Sequence, residues 1–267
     1  MMTYQTLQLD IDSRGVATLW LNRPEKNNAF NAEVIAELIH ALETIGANEA
    51  IRFLILRGQG RHFSAGADLA WMQASATLSL KENHEDAQRL SLLMETLHAL
   101  PQPTLAVVQG AAFGGALGLI ACCDMAIGAQ DAVFCLSEVR IGLAPAVISP
   151  YVVRAIGERA TRRYAMTAER FSSGRAEALG LLDETYPADQ LEAAVNEWKN
   201  NLLLNSPAAL KACKSLLHQV GTAANLDDAL KGYTQHFIAS LRVSPEAQEG
   251  LGAFLEKRMP SWQEPSV

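Results

Sequence analysis

The stretch Gln109-Gly110-Ala111-Ala112-Phe113-Gly114-Gly115-Ala116-Leu117-Gly118-Leu119-Ile120-Ala121-Cys122-Cys123-Asp124 follows directly on the apolar residues 104–108. A short apolar run before glycines reads as a buried strand, and the small and apolar residues after them as a helix. Such a turn leaves backbone N–H groups unpaired at the helix start, where the peptide dipoles favour negative charge. A second glycine-containing loop, Phe63-Ser64-Ala65-Gly66-Ala67-Asp68, stands between the apolar residues 53–56 and another helical pattern. Two such turns together suit an oxyanion; the alternative is that the glycines only permit tight turns and close helix packing. A dinucleotide-binding reading fails on spacing, because Gly110, Gly114, Gly115 and Gly118 do not match G-x-G-x-x-G.

Outward from this unit, residues 7–21 alternate around Ser13-Arg14-Gly15 and predict a hairpin. Val34, Ile35, Leu38, Ile39 and Leu42 share one face of a helix over 32–45, with Asn31 as its N-cap. Helices are expected over 68–74 and 81–100, the second stopped by Pro101 and Pro103, and strands over 125–127 and 133–136. From Ile148 onward the pattern is almost purely helical. The fold class is therefore α/β with a helical C-terminal region, divided into an α/β core over 1–205 and a helical module over 206–267.

The chain has 267 residues, 49% hydrophobic and 19% charged, as in an ordered globular domain. Its net charge of −7, without a Lys/Arg cluster, argues against nucleic acid as a partner. No run approaches the ~20 apolar residues of a membrane span, and the first ten residues lack an export pattern. Cys122, Cys123, Cys135 and Cys213 show no C-x-x-C spacing, so no metal site or disulfide framework is expected. Reduced thiols of a cytoplasmic protein fit best. Cys122 and Cys123 read as small core residues, and His62, His84 and His98 lack metal-ligand spacing.

Phe63–Leu69 and the stretch 109–124 resemble the two signature segments of the enoyl-CoA hydratase/isomerase (crotonase) family. Further similar segments are L-N-R-P-E-K-N-N-A-F-N (21–31), F-C-L-S-E-V-R-I-G (134–142) and F-L-E-K-R (254–258). The resemblance implies a crotonase (ClpP-like) fold of repeated ββα units whose C-terminal helical module closes a homotrimer or a dimer of trimers. It implies an acyl-CoA substrate, with coenzyme A as part of the substrate and no separate cofactor. The thioester oxygen would lie between the amides of Ala67 and Gly115. Lys26, Asn28, Ala29, Phe30, Ala65, Asp68 and Leu69 would neighbour the CoA chain, and Phe254 and Lys257 its adenine end.

Two-glutamate hydratases of this family carry one glutamate on the helix after the second loop and another downstream. Here the downstream position is Glu138, but the first is Gly118. Glu138 is then the matched acid/base candidate; the alternative is a surface or capping glutamate. Asp68 and Asp124 read as helix-end residues. A lone glutamate suits both hydration and double-bond isomerisation. Residues 137–156 resemble bacterial methylglutaconyl-CoA hydratases of leucine degradation and the related isohexenylglutaconyl-CoA hydratases of terpenoid breakdown. The expected reaction is hydration of 3-methylglutaconyl-CoA to 3-hydroxy-3-methylglutaryl-CoA. An isomerase is the alternative, and a CoA-thioester binding protein without turnover is another. Arg140 and Tyr151 are candidates to meet a distal carboxylate, against readings as a surface arginine and a packed tyrosine. Trp71 and Met72 are candidates for the acyl pocket, against core packing.

Overall fold

The alternating residues at the start do pair: β1 (Leu7–Ile11) and β2 (Val16–Leu21) form an antiparallel hairpin with Gly15 at positive φ in the turn. In the computed structural model, which describes residues 4–263, the chain continues through α1 (Ala32–Ala47), β3 (Phe53–Gly58), α2 (Leu69–Ser75) and α3 (Leu80–His98). Next come β4 (Thr104–Val108), β5 (Ala111–Phe113), α4 (Gly115–Cys122), β6 (Met125–Ala129) and β7 (Val133–Cys135). The remainder is α5 (Ser149–Ile156), α6 (Glu158–Thr167), β8 (Phe171–Ser172), α7 (Ser173–Leu179), β9 (Glu184–Tyr186), α8 (Leu191–Leu203), α9 (Pro207–Thr222), α10 (Asp228–Arg242) and α11 (Pro245–Glu256).

The main sheet has the order β1-β2-β3-β4-β6-β9 and is parallel beyond the first hairpin. A smaller sheet, β5-β7-β8, stands beside it. Successive side chains of a strand point to opposite faces, and both faces of the main sheet are covered. Leu54, Leu56, Ala106 and Val108 face the core shared with α1, α3, α4 and α5. Phe53, Ile55, Leu105 and Val107 face α8 through Leu191, Ala194 and Val195. This two-sided burial explains why β3 and β4 read as continuous apolar runs.

Asn31 caps α1 by accepting from the Val34 amide, and Ser79 and Glu82 form a reciprocal capping box at the start of α3. Three short strands escape the sequence reading. β5 separates β4 from α4, so the glycine-rich stretch does not pass straight from strand to helix. β8 and β9 interrupt the expected helical region. At two or three residues each, they are too short to show a period of two; backbone pairing with β7 and β6 defines them.

Asp124 lies just past α4. Its carboxylate accepts from the Thr104 amide and hydroxyl at 2.8 and 2.9 Å and pairs with Lys214 of α9 at 2.8 Å, which fastens the C-terminal helices to the sheet. Cys122 is buried among helices and Cys123 half-buried. Among the described residues, α9 and α10 bury no side chain and α11 buries only Ala253. No helix among those residues is long and apolar enough to cross a membrane.

Candidate active site

Three segments are zipped together beyond the ends of β3 and β4. The Ser64 amide donates to the Ala111 carbonyl and the Phe113 amide to the Ser64 carbonyl, at 3.1 and 3.0 Å. On the other side, the Phe30 amide donates to Gly66 and the Asp68 amide to Phe30, at 2.8 and 2.7 Å. The Gly66 amide meets the buried Ser64 hydroxyl at 3.2 Å. A side chain at Gly66, whose φ is +91°, would begin 3.0 Å from the Phe113 carbonyl oxygen, so only glycine permits this approach.

The same pairing leaves two donors over. Residues alternate in direction along an extended segment, so the amides on either side of Ala67 are used and its own points away. The Gly114 amide is taken by the Cys135 carbonyl at 2.9 Å, and Gly115 opens α4, where an amide has no helical partner. Among the described residues, neither the Ala67 nor the Gly115 N–H donates to a protein acceptor. Gly114 bends the chain with φ +54° and ψ −122°, a conformation closed to residues with a Cβ.

Glu138 approaches this bend from a 3-10 turn, Glu138–Ile141, that follows β7. Its Oε1 would lie 3.1 Å from a side chain begun at Gly114, which places the carboxylate at the mouth of α4. Its Oε2 is buried without a protein hydrogen-bond partner among the described residues. Burial raises the carboxyl pKa above the ordinary value, and nearby amides of Glu138 and Ser137 oppose this only in part. A half-buried carboxylate with an uncommitted oxygen can accept a proton at low cost and return it. The surface-glutamate reading does not describe this side chain.

The remaining candidates divide by what their atoms already hold. Asp68 caps α2 through the Ala70 amide at 2.9 Å and pairs with Arg23 at 3.1 Å. Burial alone would raise its pKa, but the Ala70 amide, Arg23 and the Trp71 amide together hold it below the usual carboxylate range. Asn27 and Asn28 sit side by side at φ +51° and +54°, in the left-handed region that asparagine tolerates. The Asn28 amide group then donates to the Gln59 and His62 carbonyls, and its oxygen accepts from the Arg23 amide. Both N–H donors of the Asn28 amide are therefore committed within the chain.

Ala29 and Phe30 are buried, with the Phe30 ring against Gly115. The Ala65 amide is taken by the Asn27 carbonyl. Lys26, Ala67 and Leu69 line the exposed edge of the loops. Arg23, Ser64 and His62 brace the site, a role their side chains did not signal in the sequence. His62 accepts from the Ala111 amide at 3.0 Å, and burial lowers its pKa, as does Arg61.

Phe254 stands 80% exposed on α11, and Lys257 ends that helix in a left-handed turn. Within one chain their side chains make no hydrogen bond or ion pair among the described residues. Arg140 donates to the Ala168 carbonyl at 2.7 Å, and Tyr151 packs edge-on against His98; these contacts match the surface-arginine and packed-tyrosine readings. Trp71 is partly buried against the core and Met72 is half-buried.

Gly118 is closed to any side chain. A Cβ there would lie 2.8 Å from Ile148 Cβ, closer still to Ile148 Cγ2, and 3.1 Å from Met94 Sδ. No carboxylate fits at this position without displacing packed apolar atoms. Gly118→Ala is therefore expected to cost about 1–3 kcal/mol by overpacking. The thermal midpoint should fall by roughly 2–12 °C; an unchanged midpoint in calorimetry would contradict the packing described.

Residues 12–265 match the family described as Enoyl-CoA hydratase/isomerase. A crystal structure of an enoyl-CoA hydratase from Shewanella pealeana superposes with a TM-score of 0.93 at 46% identity, covering 97% of this chain and 96% of that one. The 2,3-dehydroadipyl-CoA hydratase of Escherichia coli is 30% identical over 249 residues, covering 93% of this chain and 95% of its own. The hydroxycinnamoyl-CoA hydratase-lyase of Pseudomonas fluorescens is 33% identical over 214 residues, 79% of this chain and 77% of its own. The sheet order, the paired loops and these likenesses agree: the chain has the crotonase fold and belongs to the enoyl-CoA hydratase/isomerase family.

Proposed function

We propose that the protein hydrates 3-methylglutaconyl-CoA to 3-hydroxy-3-methylglutaryl-CoA, using Glu138 as its acid/base group and the Ala67 and Gly115 amides as an oxyanion hole. The observation that carries this reading is the juxtaposition at the mouth of α4. Among the described residues, a buried carboxylate oxygen without a partner lies beside a helix whose first amide is free. Adding hydroxide to C3 of an enoyl thioester moves charge onto the thioester oxygen, where two fixed donors stabilise it more than they stabilise the neutral carbonyl. In other enzymes one such donor contributes about 2.7–4 kcal/mol.

Glu138 takes a proton from water as the oxygen bonds to C3, then delivers that proton to C2 as the enolate collapses. Both new bonds form on the face that Glu138 approaches, so the addition is syn. Lys26, Ala65, Asp68 and Leu69 would neighbour the CoA chain, by backbone or exposed side chain. Phe254 and Lys257 would touch its adenine end across a subunit boundary.

The substrate assignment is supported by the likeness of residues 137–156 to methylglutaconyl-type hydratases. A relative named for 2,3-dehydroadipyl-CoA, also a thioester with a distal carboxylate, agrees with it. A substrate that brings its own carboxylate compensates for the missing glutamate at Gly118 and avoids a second negative charge there. The single glutamate also favours a second reading, double-bond isomerisation through the same enolate.

Turnover of 3-methylglutaconyl-CoA in 18O-water, with crotonyl-CoA in parallel, separates the two. Hydration incorporates the label and isomerisation does not. Glu138→Gln should lower kcat by about 100-fold or more, and full activity in that variant would remove Glu138 from the mechanism. Because the ionised form accepts the proton, kcat/KM should fall with acid along a limb above the ordinary carboxylate pKa. Stability should move oppositely. A raised folded pKa means that stability is lost as pH climbs from the unfolded carboxylate pKa through the folded one. Glu138→Gln should thus melt higher than wild type at pH 8, with the gap closing toward pH 4; the reverse trend would contradict the burial argument.

The C-terminal helices support a trimer or a dimer of trimers. Leu217, Val220, Ile238, Val243, Leu251 and Leu255 are exposed on α9–α11 and the turns between them in the single chain, apolar side chains that packing against further copies would cover. Sedimentation equilibrium should return three or six times the 28.9 kDa chain mass; a monomer would contradict it.

A further inference from the structure

We propose that Arg140 is a positioning residue: its hydrogen bond to the buried carbonyl of Ala168 holds the turn that presents the Glu138 carboxylate to the mouth of α4. The proposal rests on the reading of Glu138 as the acid/base group. Little else fastens that turn to the protein. Its backbone hydrogen bonds are local, from the Arg140 amide to Ser137, from Gly142 to Val139 and from Leu143 to Glu138, at 3.1, 3.2 and 3.1 Å. Val139 and Ile141 are exposed in the single chain, so apolar packing does not fix it there. Among the described residues, the bond from Arg140 Nη2 to Ala168, at 2.7 Å, is the one side-chain hydrogen bond that ties residues 138–141 to another part of the chain.

The acceptor is held in an unusual conformation. Ala168 is fully buried at the end of α6 with φ +49°, a left-handed geometry that alanine keeps only where its surroundings impose it. Its amide closes α6 on the Tyr164 carbonyl at 3.0 Å. Its own carbonyl accepts from the Cys135 thiol at 3.3 Å as well as from Arg140. Cys135 precedes Glu138 by three residues and Arg140 follows it by two, so one carbonyl grips the chain on both sides of the carboxylate. Cys135 carries a second link, because its carbonyl accepts the Gly114 amide at 2.9 Å, next to the Gly115 donor. Beyond Ala168 the chain enters β8, where Phe171 pairs with Phe134 of β7. The charged donor makes the Arg140 bond stronger than one from a neutral group. Without it the turn keeps only its Cys135 end, and the carboxylate is free to swing toward water.

Arg140→Met keeps the hydrocarbon stem and removes the donors; Arg140→Lys restores a charged donor. The test follows, against pH, the protonated-carboxyl infrared band that the intact wild-type protein has and Glu138→Gln lacks, together with the kinetics of each variant. In Arg140→Met the midpoint of that band should fall toward the ordinary carboxylate value, because a released carboxylate gains solvent. Its kcat should fall about 10–100-fold with the KM of the thioester little changed, and Arg140→Lys should recover most of both. A merely structural arginine would lower the melting temperature and leave the band where it is. If Arg140→Met does not fold, Arg140→Gln, whose side chain ends short of the carbonyl, takes its place. A folded variant whose Glu138 midpoint does not fall would overturn the proposal, as would full kcat in that variant while Glu138→Gln is inactive. A midpoint that falls while Glu138→Gln stays fully active would leave the tether standing and sink the acid/base reading alone.

Discussion

Two backbone amides with no acceptor among the described residues are the constraint around which this molecule is organised. An unpaired donor in a crowded turn is costly unless a ligand or solvent meets it. The amides of Ala67 and Gly115 are held out of the zipped loops by everything around them. Gly66 must lack a side chain for the loops to touch, and Gly114 must adopt a conformation that only glycine reaches easily. Ser64, Asn28 and Arg23 spend hydrogen bonds on the loop backbone, and Arg23 also holds the Asp68 carboxylate. Rigidity of this kind is what an oxyanion site requires, because donors that are already in place need no reorganisation when charge arrives.

Around that pair the chemistry is asymmetric. One flank carries Glu138, whose burial makes its protonated form easier to reach. The other flank carries hydrocarbon, since Gly118 is covered by Ile148 and Met94. A site with carboxylates on both flanks can orient water from one and move the proton with the other. In the proposed reaction both tasks fall to Glu138 or are shared with the substrate. The cost of keeping Glu138 buried is carried by the fold, a trade of stability for reactivity common at functional sites.

Much of this was legible in the residues. The apolar runs of β3 and β4, the 3.6-residue period of α1 and the two glycine-rich segments gave the α/β core and the loops, because each depends on local periodicity or on glycine placement. Asn31 and Asp68 were readable as caps for the same reason. What could not be read depends on contacts distant in sequence. The short strands β5, β8 and β9 exist through pairing. Ile148 meets Gly118 thirty residues away, and nothing in either residue announces the other. The Asn28 side chain donates to the Gln59 and His62 carbonyls, more than thirty residues away, a bracing role that its place in the sequence does not announce.

The central claim is that the Ala67 and Gly115 amides receive a thioester oxygen. Difference infrared spectroscopy of bound butyryl-CoA carrying a 13C label at the thioester carbonyl tests it most directly, since two hydrogen bonds to that oxygen weaken the C=O bond. The account predicts a carbonyl band displaced to lower frequency than that of the same thioester free in water. A band at the free position, with binding verified by titration, would contradict it.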